Sequence, residues 1–196
     1  HWLAAATIAM MKGTKPALLR TRHVMLPVRN NIANRWLFGK STQRLICVSE
    51  AVRMQAVSQK AIACPVSVVR GGTDMSRFQV DDASTCERLR EALAIPHGAP
   101  VLTCLARVSP VKGQEHVVSA LPAILRRFPD AVAVFAFSRD HIYRKEICAL
   151  AERLGVEGNI RWVGKLDSIA PLFTMTAISL ISSVESEGWS RVAVES

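Results

Sequence analysis

The sequence has no CxxC pair, no Asp-x-Asp, no His or Cys cluster at metal-ligand spacing, and few aromatic residues, 6% of the chain with a single Tyr. These gaps remove the usual signatures of a structural zinc site, a dithiol redox centre and a paired-carboxylate cation site, and no metal is expected. The five cysteines (47, 64, 86, 104 and 148) are odd in number and widely spaced, so reduced thiols in a cytoplasmic protein fit best. Long hydrophobic runs are also lacking. Trp2 to Met11, the longest strongly apolar stretch, is too short to span a bilayer and reads as a buried helix rather than a signal sequence. The chain opens on His1-Trp2 within a helical pattern and ends on Glu195-Ser196 as a helix starts, which reads as an internal fragment of a longer protein.

Acidic residues are scarce in the first part. Residues 1 to 75 carry eleven Lys or Arg against Glu50 and Asp74 alone, whereas residues 76 to 196 carry fourteen of each sign, so the formal +9 belongs to the first part. That asymmetry divides the chain into a basic unit, 1–75, and a neutral one, 76–196. The basic unit is expected to meet something anionic: a phosphorylated lipid, a membrane surface or nucleic acid. Nucleic acid is the weaker choice, because no helix-turn-helix, finger or RNP pattern accompanies the charge. With 49% hydrophobic residues, the 196-residue chain can bury a core as one large or two small domains.

Strand and helix patterns alternate throughout, the mark of an α/β protein with parallel sheets. Pro16 closes a first helical stretch. Ala17 to Arg20 reads as a strand and delivers Thr21-Arg22-His23 to its carboxyl end, where open α/β sheets hold ligands; simple capping or packing is the commoner fate of such a histidine. A helix over 30–39, a strand over 44–49, a helix over 50–60 and a strand over 66–69 follow. Gly39-Lys40-Ser41-Thr42 resembles the end of a P-loop, but Asn34 stands where its first glycine belongs and no strand precedes it. Residues 75–100, with an amphipathic helix over 83–95, read as an interdomain connection. A second series then follows: strands over 101–106, 131–137, 160–163 and 177–181, and helices over 113–127, 139–154 and 168–173. Between the first strand and helix of this series lie Arg107 and Lys112, five apart. Both could converge on one diphosphate, or both could be solvated.

The last fifteen residues organise the rest. A buried strand ends at Ser182-Ser183, Gly188 frees the backbone, and Ser190 is placed to cap a helix whose unpaired N–H groups would face an anion. Glu195 would then lie roughly 7 Å along that helix. This spacing suits a sugar nucleotide, with phosphate at the helix terminus and hydroxyls further along. The stretch reads equally as a surface loop carrying three glutamates.

Taken together, these segments resemble the retaining glycosyltransferases of family 4, the bacterial surface-glycan and lipopolysaccharide type. Val69 to Phe78 looks like that family's NG-V-D…F connection and Ala106-Arg107…Lys112-Gly113 like its GR…KG. Gly164 follows a strand as in V-x-F-x-G, and Glu187 and Glu195 match E-x7-E. His1 resembles the remnant of an earlier His segment. The resemblance implies a GT-B fold of two Rossmann-like domains. Residues 1–75 would belong to the acceptor-side domain, and 76–196 to the donor-binding domain. By the same resemblance Arg107 and Lys112 hold the donor diphosphate, Glu195 the ribose and Glu187 the transferred sugar. The Gly188, Trp189 and Ser190 segment would approach the phosphates, and His23 would face the sugar, with Glu187 and His23 as the catalytic pair. The implied reaction moves a sugar from a nucleoside-diphosphate sugar to a glycan or lipid-linked acceptor, with retention and without metal or other cofactor. It would run in the cytoplasm, peripheral to the inner face of a membrane. A sugar-nucleotide epimerase on the same fold, or a non-catalytic nucleotide-binding module, are the alternatives. The sequence departs from the family pattern at Gly71 (usually Asn), Ala106 (Gly), Trp189 (commonly Phe) and Ser190 (Gly).

Overall fold

The computed structural model describes residues 2–79, 83–137, 141–185 and 187–196. The expectations placed on His1, and on the start of a helix at Arg139, lie outside the described residues. The chain forms two compact units, one of His1–Gly72 with Ser186–Ser190, the other of Thr73–Glu185 with Arg191–Ser196. Both are built on parallel sheets, as the α/β reading requires. Among the described residues no helix is long and apolar enough to cross a membrane.

The first unit runs α1 (Trp2–Met10), β1 (Leu19–Arg22), α2 (Ile32–Arg35), a π-helical segment (Trp36–Ser41), β2 (Arg44–Cys47), α3 (Glu50–Val57) and β3 (Val66–Val68). Its three strands lie in the order β1-β2-β3, with Arg20 opposite Leu45 and Cys47 opposite Val68. Ser49 caps α3 by accepting from the Val52 N–H, and Val52 and Ala56 of that helix pack on Leu45 and Cys47. The single helix expected over 30–39 is instead two segments. The Phe38 carbonyl is taken by the Cys64 N–H at 2.9 Å, a tertiary bond that competes with the regular helical ladder, and the turn widens. The P-loop lookalike therefore closes a helical segment that leads into β2, rather than opening a helix after a strand.

Two further expectations for this unit are corrected. β1 begins and ends two residues later than read, and His23 still follows it directly. α1 is not a buried helix: only Ala5 is buried, while Leu3 and Met10 are 83% and 77% exposed. Its apolar residues surround the helix, so packing one side, with Trp2 stacked on Trp36 at 6.1 Å, leaves the others outside.

The second unit runs α4 (Ala83–Ala92), β4 (Val101–Leu105), α5 (Gln114–Leu125), β5 (Val132–Ala136), α6 (Tyr143–Leu154), β6 (Ile160–Val163), α7 (Ala170–Thr174), β7 (Ile178–Ser179) and α8 (Val192–Glu195). Its sheet has the order β6-β5-β4-β7. Period-two alternation sends Leu102, Cys104, Ala133 and Phe135 to one face against Val118, Leu121 and Ile147 of α5 and α6. Val101, Val132, Val134 and Ala136 face the other way, against Leu172, Ile95 and Ala99. Residues 75–100 are thus part of this unit rather than a connection, because Ile95 and Ala99 are core and Phe78 packs on Phe173 at 6.2 Å. The chain builds outward from β4 to β5 and β6, then returns to place β7 on the other side of β4. The loops leaving β4 and β7 consequently start side by side at a reversal of strand order, where open α/β sheets accept ligands.

Phe135 is 2% exposed and stacks on Trp162 with ring centroids 4.8 Å apart. Phe135→Ala is expected to cost about 3 to 5 kcal/mol of stability in urea unfolding, against less than about 0.5 kcal/mol for Ile142→Ala at an exposed position. Similar losses from both would contradict the assigned core.

Candidate functional site

The loop after β4 runs from Ala106 through a 3-10 turn (Pro110–Lys112) to Gly113. Val108 is buried and anchors it to the core, while Arg107 is exposed beside it. Gln114, the first residue of α5, is fully buried and holds the loop from beneath. Its Nε2 donates to the Arg107 carbonyl at 2.8 Å and its Oε1 accepts from the Ser109 N–H at 3.5 Å. A neutral amide serves here because it supplies both a donor and an acceptor, satisfying two backbone groups at once.

The segment after β7 is stitched to the same loop. The Val184 N–H donates to the Val111 carbonyl at 3.1 Å, the Ser182 hydroxyl to the Lys112 carbonyl at 2.8 Å, and Lys112 Nζ to the Ser183 hydroxyl at 3.3 Å. Gly113 makes this approach possible. Its φ of 62° is left-handed, and a Cβ there would collide with the Ser182 carbonyl oxygen. Beneath, burial pushes the Cys104 thiol up, partly offset by the Ser182 hydroxyl 3.7 Å away and by Lys112. Arg107 and Lys112 therefore stand on one braced loop at the reversal of strand order. Among the described residues, no three His, Cys, Asp or Glu side chains gather as a metal-binding group.

Further along, residues 187–190 pack within the first unit. Gly188 lies so close to the chain after β1 that a Cβ would collide with the His23 carbonyl oxygen and come within 3.2 Å of Val52 Cγ2. Trp189 packs against the cluster of Leu45, Cys47 and Val52. A Cβ on Gly71 would sit 3.0 Å from Trp189 Nε1, so the two departures at Gly71 and Trp189 accommodate each other. The structure brings His23, Gly188 and Trp189 into one unit, with Glu187 and Ser190 half-buried beside them.

α8 is one turn long, and helical torsions start at Arg191, directly after Ser190. Glu195 sits at the end of that turn. Its carboxylate accepts from Arg191 Nε and Nη2 at 3.2 and 2.9 Å, and its side chain is 9% exposed. Sequence reasoning missed both partners, Gln114 and Arg191. The i, i+4 spacing of Arg191 and Glu195 was the available signal for the second. A cavity of about 850 Å³ is lined by α6 and the two residues ahead of it. A furrow along one helix brings no chemistry together.

A braced cationic loop at a strand-order reversal is an architecture that the comparisons with known proteins place. The family model for glycosyl transferases group 1 matches residues 86–196, and the chain belongs to that family. Among similar proteins is the GDP-mannose-dependent alpha-(1-6)-phosphatidylinositol monomannoside mannosyltransferase of Mycobacterium tuberculosis, 28% identical over 179 residues, 87% of this chain and 45% of that protein. Another is the D-inositol 3-phosphate glycosyltransferase of Corynebacterium glutamicum, 27% identical over 182 residues, 83% of this chain and 44% of that protein. The chain thus spans less than half the length of these relatives. Its fold is that of a glycosyltransferase from Rickettsia africae, with a TM-score of 0.81 at 19% identity over 90% of this chain and 48% of that one. Anabaena HepE, solved in complex with UDP, follows with 0.77 at 22% identity over 91% and 50%.

Gly98 and Gly113 both have positive φ, but only Gly113 is crowded. Gly98→Ala is expected to lower stability by roughly 1 kcal/mol of backbone strain. Gly113→Ala should lose clearly more, since the Ser182 backbone must also shift, and thermal unfolding compares them. Equal losses would mean that the Gly113 contact is not a constraint.

Proposed function

We propose that the protein transfers a sugar from a nucleoside-diphosphate sugar to a glycan or lipid-linked acceptor, with retention at the anomeric carbon and without a metal. The observation that carries this reading is the Arg107–Lys112 loop braced at the β4 and β7 ends, inside the stretch matched by the glycosyl transferase family. The charge that grows on the departing nucleoside diphosphate needs preorganised positive partners, and a loop fixed by Gln114 and Ser182 supplies them with little reorganisation. The relatives' names supply the nucleotide-sugar part, since one is called GDP-mannose-dependent.

In this reading Arg107 and Lys112 bind the diphosphate. Glu187 meets the transferring sugar and stabilises positive charge at its anomeric carbon, with His23 as its partner at the sugar. The Gly188–Ser190 backbone approaches the phosphates, where the Ser190 hydroxyl can donate. Glu195, held by Arg191, takes the ribose hydroxyls. Residues 1–75 serve the acceptor and 76–196 the donor. The family-4 type, construction of a bacterial surface glycan or lipopolysaccharide, and a cytoplasmic position on the inner membrane face belong to the same proposal. The excess of cations in the first unit and a relative named for a phosphatidylinositol acceptor support the membrane part.

Steady-state kinetics of the full-length protein with GDP-mannose, the donor named for the relative, test the reading. Arg107→Ala and Lys112→Ala should each weaken donor binding by about ten- to a hundredfold, the worth of a charge-assisted hydrogen bond. Glu187→Gln should lower kcat more than it raises KM, because its contact strengthens in the transition state, whereas Glu195→Gln should mainly raise KM. Chelator should change nothing. Unaltered kinetics in all four variants would remove the site assignment, loss of activity with chelator would remove the metal-free mechanism, and donor turnover requiring no acceptor would favour an epimerase.

A further inference from the structure

Arg191 and Glu195 both belong to the second unit and stand at the two ends of α8. Their ion pair is asymmetric. The Arg191 side chain is 75% exposed and that of Glu195 only 9%, whereas in the Glu50–Arg53 pair of α3 the glutamate side chain is 54% exposed. A surface ion pair contributes little to stability, because ordering a long side chain offsets most of its attraction. A carboxylate of low exposure makes a different demand: away from water its oxygens need donors.

Both Arg191 bonds fall on one oxygen. Nε and Nη2 donate to Glu195 Oε1 at 3.2 and 2.9 Å. A carboxylate offers about two acceptor sites on each oxygen, so Arg191 fills those of Oε1 and leaves those of Oε2. A nucleotide's ribose presents two hydroxyls. The terminal torsion of a glutamate is broad and roughly two-fold, so a carboxylate held by nothing would swivel. The guanidinium removes that freedom before a ligand arrives, and preorganisation of this kind appears as affinity for whatever Oε2 accepts.

We propose that Arg191 is a positioning residue that sets the selectivity of the donor site for ribonucleotides. By occupying Oε1 of Glu195 it presents Oε2 to the 2′- and 3′-hydroxyls, and a deoxyribonucleotide leaves one of the two acceptor sites unused. The inference rests on the reading of Glu195 as the ribose ligand and adds the residue that aims its carboxylate. Arg191 acts through Glu195 rather than on the phosphates.

The test is equilibrium binding of GDP and 2′-deoxy-GDP to the full-length protein, read as the ratio of their dissociation constants. Wild type should favour GDP by about ten- to a hundredfold, the worth of one hydrogen bond to a charged acceptor. Arg191→Ala should lower that preference by roughly two- to tenfold, the effect of freeing one side chain that binding must then order. Arg191→Lys, which keeps a donor at the same spacing, should restore part of it. Arg153→Ala, which removes an exposed cation from α6, should leave the preference as in wild type. In a Glu195→Gln background, Arg191→Ala should change it no further. Thermal unfolding checks each variant, and Arg191→Met, which keeps the stem without the donors, carries the comparison if Arg191→Ala does not fold. A preference that ignores Arg191 overturns the proposal. So does an equal loss of affinity for both nucleotides, which would put Arg191 on the phosphates. The two readings fail separately: if Glu195→Gln lowers the preference and Arg191→Ala does not, this inference alone is overturned. If Glu195→Gln leaves the preference unchanged, the ribose assignment itself falls.

Discussion

The approach of Gly113 to the Ser182 carbonyl is the constraint on which the ligand-facing edge of the second unit depends. Any side chain at 113 would push the β4 loop from the segment after β7. The backbone bond from Val184 to Val111 and the hydroxyl bonds around Lys112 all require that closeness. The left-handed turn at Gly113 also sets where α5 begins, and hence where Gln114 sits beneath Arg107. One glycine thereby couples two strands that are neighbours in the sheet but more than seventy residues apart in the chain. The loop backbone that carries Arg107 and Lys112 is fixed in advance, which is what an electrostatic role demands.

The first unit follows the same logic with different residues. Gly188 lets its segment lie against the His23 carbonyl, and Trp189 anchors that segment on Leu45, Cys47 and Val52. The anchor is hydrophobic and the contact beside it is backbone. Specific side chains at 187 and 190 are therefore carried on a fixed stretch rather than on an adaptable loop. The unit's other demand is electrostatic: β1 carries one buried and one half-buried arginine, Arg20 and Arg22, into a small domain nearly devoid of acidic residues. Burial of that kind is unfavourable in isolation, and Thr42, Gln55, the Leu26 carbonyl and the Phe38 ring are among the groups that offset it.

Much of this architecture could be read from the sequence because β4 and β5 are apolar runs buried on both faces and the strands are separated by glycine, proline and polar turns. The buried strand read over 177–181 is instead the short β7, with Ile178 exposed. β6 was legible to the residue, since Ile160–Val163 is bounded by Asn159 and Gly164. Where reading failed, tertiary contacts decided. The helix over 30–39 divided because a bond from Cys64 reaches Phe38, and α1 lay exposed because composition reports how apolar a helix is and not what covers it. At the site, Arg107 and Lys112 stood out as cations in a strand-to-helix loop. Gln114 did not, because a glutamine opening an amphipathic helix ordinarily faces water, and its burial depends on the loop folding over it. The fit between Gly71 and Trp189 joins residues far apart in the chain, and no local pattern carries it.

Hydrogen–deuterium exchange of the full-length protein, with and without a nucleoside diphosphate, tests the central claim most directly. If the braced loop is the diphosphate site, ligand should slow exchange at backbone amides in residues 106–113 and 182–190, while amides along α6 exchange as before. Protection confined to other segments, with residues 106–113 unchanged at saturating nucleotide, would contradict the account.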